Sequence, residues 1–210
     1  MSMTGYRDGV FTAKALALTQ KKLQVDTYPY VLSSATVIKA SVSVAATTAF
    51  TLGTTLQVPR TLKVVNNMQT TAERAMNLVV KGYNGEGNYA EESISLSTST
   101  TGRAAGNVAF AYVTSVVPAV ATKGYGTYST VSIYPTDKFG LTEDCESQAD
   151  VLEIVAYGAT AGNQFTATSS IVTSTTFSPT YNTVDLTTLG AAGSTLGIKY
   201  LSKFQRKDSM

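Results

Sequence analysis

The amino-acid sequence predicts an all-β protein, built as an antiparallel β-sandwich or a jelly-roll-like fold. Of the 210 residues, 33 are Thr and 20 are Ser, and only 14% carry a charge. β-Branched side chains lose rotamer freedom in helices but pack well on a pleated sheet. Short segments that alternate polar and apolar residues are separated by Gly- and Ser-rich turns. This spacing predicts about eight to ten short strands.

The chain divides into three parts by pattern. Residues 1–35 lack strong periodicity and are predicted to form an N-terminal arm, in which 13–23 has a composition that suits a short helix or, equally, an extended segment. Residues 36–205 are predicted to form the β-sandwich domain. Residues 206–210 form a short basic tail. A chain of this length can bury one sizeable core.

The first half of the domain contains a predicted hairpin. Residues 36–46 alternate as a half-buried strand, and Pro59 suits the start of a second strand over 57–65. Asn84-Gly85 is a strong turn signal because both residues tolerate positive φ. It joins a strand over 77–82 to its partner over 89–97.

The second half continues the same pattern of strands and connections. A turn is predicted over 137–141, with the side chains of Phe139 and Leu141 in the core. The remaining predicted strands are 108–117, 130–134, 151–157, one within 164–176, and 198–204. The predicted connections are 98–106, 120–128 and 186–197.

The composition excludes several kinds of chemistry. There is no histidine, so no imidazole base and no His-dependent triad. The single cysteine, Cys145, excludes an intrachain disulfide and the common structural zinc sites. No apolar run reaches about 18 residues, and the N-terminus has no signal-type apolar core. We expect no enzyme activity and no catalytic, cofactor or metal site.

Charge is unevenly distributed along the chain. Residues 1–39 hold five basic and two acidic residues, and 199–210 hold four basic and one acidic residue. Between them, 40–198 hold seven basic and eleven acidic residues. The basic ends predict either docking on an acidic protein surface or ordinary solvated termini. Sparse basic residues without interleaved aromatics argue against nucleic-acid binding.

Two acidic clusters allow a functional and a structural interpretation. The run 143–146 with Asp150 is either a cation site or a solvated acidic loop, and it lacks the spacing of an EF-hand. Glu91 and Glu92 are adjacent on a strand and so point to opposite faces, which argues against paired catalytic carboxylates. One of them is expected to be exposed and the other to pair with Lys81 or Arg60.

Three further features are weighed in the same way. Cys145 has no histidine to activate it and is predicted to be a buried thiol. The Gly-rich segment 82–87 leads to a strand rather than to a helix, so it predicts a hairpin and not a phosphate loop. Tyrosine is frequent at interfaces, and those in the arm and loops are predicted to form contact surfaces: Tyr6, Tyr28, Tyr30, Tyr83, Tyr89, Tyr125 and Tyr128. Those on strands are predicted to pack in the core or at its rim: Tyr112, Tyr134 and Tyr157.

An ordered set of short motifs resembles a group of tailed-bacteriophage virion proteins. It consists of Val58-Pro59-Arg60 and the following strand, the Asn84-Gly85 hairpin, Glu91-Glu92-Ser93-Ile94, Phe110-Ala111-Tyr112-Val113-Thr114-Ser115-Val116 and Asp137-Lys138-Phe139-Gly140-Leu141. The resemblance spans roughly 58–141. It implies a small β-sandwich carried on a phage particle, most often as a capsid decoration or cement protein. The turn over 82–88 is longer here, and the segments before 36 and after 160 have no counterpart.

These observations predict a structural virion protein that lies on the outer capsid surface. The expected partners are the major capsid protein and other copies of the same chain, as a homo-oligomer or as neighbours on the particle. Neither nucleic acid nor a membrane is expected as a partner. The alternatives are a tail, neck or fibre-base structural protein, or a carbohydrate-binding adhesive β-sandwich.

Overall fold

Two antiparallel sheets make up the fold in the computed structural model. It describes residues 21–30, 37–44, 49–52, 56, 58–67, 77–96, 102–119, 130–160, 164–167, 176–186 and 194–203. The strands within these ranges are β1 (Lys21–Tyr30), β2 (Lys39–Ser43), β3 (Arg60–Asn67), β4 (Asn77–Asn84), β5 (Tyr89–Ser95), β6 (Arg103–Ala105), β7 (Phe110–Ala119), β8 (Thr130–Gly140), β9 (Val151–Thr160), β10 (Gln164–Ala167), β11 (Thr176–Ser178), β12 (Thr183–Asp185) and β13 (Ser194–Lys203). A 3₁₀ turn, Gln148–Asp150, precedes β9. The predicted all-β, sandwich-like class is confirmed.

The smaller sheet has the strand order β1-β13-β9-β10. The larger sheet has nine strands and curls into a half-barrel. Its main path is β11-β12-β8-β3-β7-β4-β5, with β2 paired to β8 and β6 paired to β3. The sheets therefore join segments that are far apart in the chain, and β1 pairs along its whole length with β13.

Two hydrophobic clusters form the core. One lies inside the curl of the larger sheet and includes Leu62, Leu78, Phe110, Val116 and Ile133. The other joins the smaller sheet to β8, β11 and β12, with members on both sides: Tyr28, Ile154, Leu196, Ile198 and Tyr200 face Phe139, Phe177, Val184 and Leu186. This second cluster makes the packing sandwich-like, because side chains from two sheets fill one layer.

The described part of the predicted arm is extended and belongs to the smaller sheet. Lys21–Tyr30 is strand β1, with Asp26 and Tyr28 buried, so at 21–23 the extended alternative holds rather than the short helix. Short-range pattern could not show this, because the partner strand β13 begins more than 160 residues later. The rest of the proposed arm and the tail 206–210 lie outside the described residues.

Several predicted boundaries also change. The expected loop 98–106 contains β6, which pairs with β3. The expected turn 137–141 continues β8 to Gly140, because β12 pairs with this end of the strand. Phe139 and Leu141 are nevertheless buried, as predicted. The expected connection 186–197 includes the first residues of β13, and 120–128 lies outside the described residues.

Candidate interaction surface

Three exposed tyrosines lie side by side on the larger sheet. In the strand register, Tyr83 of β4 faces Tyr89 of β5 on one side and Tyr112 of β7 on the other. Their exposed fractions are 44%, 60% and 52%, respectively. We call these three residues the tyrosine ladder. The ring centroids of Tyr83 and Tyr89 are 6.0 Å apart, and the rings meet edge to face at 82°.

The hairpin next to the ladder is held by an asparagine side chain. The Oδ1 atom of Asn84 accepts hydrogen bonds from the backbone N–H groups of Glu86 (3.1 Å) and Asn88 (2.9 Å). Gly87 has φ +81°, whereas Asn84 and Gly85 do not have positive φ. The predicted hairpin is therefore confirmed, but its positive-φ residue is Gly87 rather than Asn84-Gly85. This turn sets the register that places Tyr83 opposite Tyr89.

A second glycine allows β4 to approach β7. A Cβ atom at Gly82 would collide with the carbonyl oxygen of Tyr112 and lie 3.0 Å from the Cα of Val113. The β4–β7 register shifts on either side of this point, between Lys81 and Gly82 and between Tyr83 and Asn84. Because Gly82 has no side chain, β4 can approach β7 closely at this point. Tyr112 is exposed next to this close approach.

The charges beside the ladder are paired within the chain. The Nζ of Lys81 lies 3.2 Å from Oε2 of Glu91, and both side chains are exposed. Glu92 instead accepts hydrogen bonds from the backbone N–H groups of Asn107 (2.6 Å) and Val108 (3.2 Å). Burial raises the pKa of Glu92, although these two bonds oppose the shift. The expected lysine pairing thus occurs at the exposed glutamate, and Arg60 pairs with Asp137 instead.

A row of exposed tyrosines has a composition that is typical of contact surfaces. Tyrosine combines a large rigid ring with a polar end, and it is enriched where interfaces bind most tightly. Each side chain has only two rotatable angles, so little conformational entropy is lost when it is covered. In the neighbouring ion pair, Lys81 and Glu91 offset each other's charge.

The tyrosine predictions are partly wrong. Tyr83 and Tyr89 are exposed as predicted, but Tyr28 is buried and Tyr112, which was expected to pack in the core or at its rim, is exposed. Burial on a strand depends on which face meets the other layer, and the bulge at Gly82 changes that face locally. Tyr134 is half-buried, as a rim residue should be. Tyr6, Tyr125 and Tyr128, with the side chains of Tyr30 and Tyr157, lie outside the described residues.

Sequence reasoning missed a buried carboxyl group on β1. The Oδ2 atom of Asp26 accepts hydrogen bonds from the hydroxyls of Tyr28 (2.9 Å) and Tyr200 (3.1 Å) and from the backbone N–H of Thr142 (2.9 Å). Its Oδ1 accepts from the Thr142 hydroxyl at 2.6 Å. Burial, followed by the nearby Asp26 charge, raises the pKa of Tyr28. The only sequence signal for this buried group was the spacing of Asp26 and Tyr28, which places both side chains on one face of a strand.

Two carboxylates of the acidic cluster, Glu146 and Asp150, pair with lysines of the first and last described strands. Lys21 of β1 donates to both carboxylate oxygens of Asp150, at 2.6 and 2.7 Å. Glu146 lies 3.6 Å from Lys21 and 3.5 Å from Lys203 of β13. We call these four residues the terminal latch. One interpretation of the charge pattern was that the basic ends dock on an acidic protein surface. For Lys21 and Lys203, the acidic groups that they contact belong to the same chain.

Cys145 is buried, as predicted. Its backbone N–H donates to Oδ1 of Asn182 at 3.2 Å. Asn182 has φ +49° and is itself buried, and its Nδ2 donates to Glu86 and to the carbonyl of Glu143. Burial raises the pKa of the Cys145 thiol to about 11.

Metal-ligand clusters and membrane-spanning helices are absent from the described residues. No group of three or more His, Cys, Asp or Glu side chains in these ranges is arranged to hold a metal ion. In the same part of the chain, no helix has the length and apolarity that a membrane span requires.

Comparisons with known proteins give no relative. No protein-family model, no curated protein and no solved structure matches the chain.

Proposed function

We propose that this chain is a structural protein of a tailed-bacteriophage particle that binds the capsid shell from outside, as a decoration or cement protein. The observation that carries the proposal is the tyrosine ladder, with three tyrosines exposed in one row across three strands. Weak contacts of this kind add up when many copies bind a repeating lattice. The motif order over 58–141 and the sandwich-like fold support the same interpretation.

The ladder makes the proposal testable. The triple variant Y83S/Y89S/Y112S removes the rings at positions that are exposed, so the fold is expected to remain. Y181S is the matched control, because Tyr181 is 43% exposed but lies in the turn before β12. In a co-sedimentation assay with particles that lack the protein, the triple variant is expected to bind at least about 30-fold more weakly, and Y181S normally. Equal binding of the triple variant and the wild type would refute the ladder as the contact surface.

The copy number tests the place on the particle. A shell protein is expected in several hundred copies per particle, on the order of the lattice size, and a tail or neck protein in about six or twelve, because closed rings set those numbers. Quantitative mass spectrometry of purified virions measures this number. A count of six or twelve would support the tail, neck or fibre-base alternative.

The adhesive alternative has one observation in its favour. The ladder lies beside Asn84, Glu86 and Asn88, which are polar groups of the kind that bind sugar hydroxyls. However, the rings of Tyr83 and Tyr89 meet at 82°, so these two do not form one flat platform for a sugar chain. A glycan array probed with wild type and the triple variant tests this alternative, and ladder-dependent binding to a glycan would favour it over a protein contact.

A further inference from the structure

Strand β1 has the features of a dimer interface along the edge that no described strand covers. Among the described strands, β1 is at the end of the smaller sheet and pairs on one side only, with β13. It is ten residues long. Leu23 and Val25, on one face of it, are 53% and 56% exposed. A long edge strand with exposed apolar side chains is a ready template for pairing with another strand.

The opposite face of β1 carries a carboxylate that no cation among the described residues pairs with. Asp26 is 5% exposed, and the four donors that reach it are neutral: two tyrosine hydroxyls, one threonine hydroxyl and one backbone N–H. None of the ion pairs within the described ranges includes Asp26. A buried carboxylate is far less costly when a cation stands beside it. Lys22 is exposed on the same face, four residues away.

Symmetry allows only a few registers for two copies of this strand. In an antiparallel pair, residues that face each other have side chains on the same face of the sheet. A two-fold axis through Asp26 would place two carboxylates opposite each other, and an axis through Lys22 would do the same to two ammonium groups. An axis through Gln24 places Lys22 opposite Asp26 of the second copy and Leu23 opposite Val25.

We propose that two copies of this chain pair through the β1 edges, antiparallel and with Gln24 at the two-fold axis, so that Lys22 of each copy neutralises Asp26 of the other. The two smaller sheets then form one continuous sheet. On the face where they are exposed in the single chain, Leu23 of each copy packs beside Val25 of the other as a cross-strand pair. The tyrosine ladder belongs to the other sheet, so the dimer does not depend on the function proposed above.

Cross-linking tests the register directly. Opposed Cα atoms in an antiparallel pair lie about 4.5–5.5 Å apart, within the range that a disulfide spans. Q24C is therefore expected to form a covalent dimer under mild oxidation. K22C is the control, because the two Lys22 positions lie about 13 Å apart along the strands. The native Cys145 is buried and does not interfere.

Mass measurement tests the dimer itself. In size-exclusion chromatography with light scattering, between about 1 and 100 µM protein, the wild type is expected to approach twice the mass of one chain. K22E places two acidic groups opposite each other and is expected to weaken the dimer at least about tenfold. K39E makes the same charge change on β2 and is expected to have no effect.

Three results would overturn the proposal. They are a single-chain mass over the whole concentration range, equal cross-linking of Q24C and K22C, or an unchanged dimer in K22E. Circular dichroism of each variant checks that the fold is retained. The Y83S/Y89S/Y112S variant is expected to dimerise normally, so failure of shell binding and failure of dimerisation are separate results.

Discussion

Asp26 links three parts of the chain at the scale of a single residue. Its carboxylate accepts from Tyr28 on the same strand, from Tyr200 on β13 and from Thr142 after β8. The two tyrosine hydroxyls and the Thr142 N–H are polar groups of the core, and they lose an acceptor if the carboxylate is removed. Buried polar groups without partners are costly, so this network stabilises one particular arrangement of the two sheets.

D26A is expected to lower the free energy of unfolding by about 3 kcal/mol, because the Tyr200 hydroxyl and the Thr142 N–H then lose their carboxylate acceptor. The Tyr28 hydroxyl retains the carbonyl of Gly140 as an acceptor at 3.0 Å. Urea denaturation at a fixed, low protein concentration measures the change. T27A, at the exposed neighbouring position, is the control and is expected to change it by less than about 0.5 kcal/mol. A loss below about 1 kcal/mol in D26A would show that the network contributes little.

Cys145 is expected to be almost inert in the folded protein. Burial raises the pKa of its thiol to about 11, so the reactive thiolate is scarce at pH 8. Labelling with a thiol reagent is expected to be at least about 100-fold slower in the native protein than after denaturation. T27C adds an exposed thiol, and it should produce a fast phase equal to one thiol. Fast labelling of native wild type would contradict the burial.

The terminal latch acts at the scale of elements. It connects the first and last described strands to the loop before β9, and the backbone N–H of Lys203 also donates to the carbonyl of Asp144 at 2.7 Å. Burial alone raises the pKa of Asp150, but the hydrogen bonds from Lys21 and Ser147 outweigh it, so that the pKa is lowered. The hydrogen bond that Lys21 donates to Asp150 raises the pKa of Lys21, in spite of its desolvation.

The signs of these shifts predict the pH dependence of the latch. A lowered Asp150 pKa stabilises the fold above the ordinary carboxyl pKa of about 4, and the effect is lost as pH falls through the folded value. A raised Lys21 pKa stabilises it below about 10.4, and the effect is lost as pH rises through the folded value. The difference in unfolding free energy between wild type and K21M is therefore expected to be constant from about pH 6 to 8 and to shrink at both extremes.

Denaturant titrations across this pH range measure the difference. K39M removes a lysine from β2, outside the latch, and corrects for the general effect of net charge. If the difference between wild type and K21M does not shrink as the pH falls below about 4, the ordinary carboxyl pKa, the latch does not stabilise the fold through Asp150.

At the scale of the whole molecule, the N-terminal segment belongs to the fold. Removing residues 1–20 leaves β1 in place, and the shortened chain is expected to melt cooperatively, near the wild-type temperature. Removing residues 1–30 deletes the partner of β13 together with Asp26 and Tyr28, and this chain is expected to be unfolded or aggregated. Far-UV circular dichroism with thermal melting measures both. A cooperative wild-type melt of the 31–210 chain would show that β1 is dispensable.

The same truncation separates two modes of shell attachment. If the tyrosine ladder carries binding, the chain without residues 1–20 is expected to retain particle binding within about threefold, because interface energy is concentrated in few residues. Loss of binding in this folded chain would assign attachment to residues 1–20, the part of the predicted arm outside the described structure.

Local patterning was sufficient where neighbouring residues decide the outcome. The all-β class, the hairpin between β4 and β5, the burial of Phe139 and Leu141 and the opposite orientations of Glu91 and Glu92 all follow from strand alternation and turn chemistry over a few residues. The exposure of Tyr83 and Tyr89 was predicted because they lie next to that turn. The position of Tyr112 in the same row was not predicted, because it depends on the pairing of β7 with β4 through the close approach at Gly82.

Contacts between distant segments decided the rest. Lys21–Tyr30 is a strand because β13 pairs with it, and Asp26 is buried because Thr142 and Tyr200 reach it from two other segments. The acidic run 143–146 meets lysines from both ends of the chain for the same reason. A sheet assembles its neighbours by hydrogen bonds that do not depend on sequence separation, so the strand that completes an edge and the face that it buries are properties of the assembled sheet.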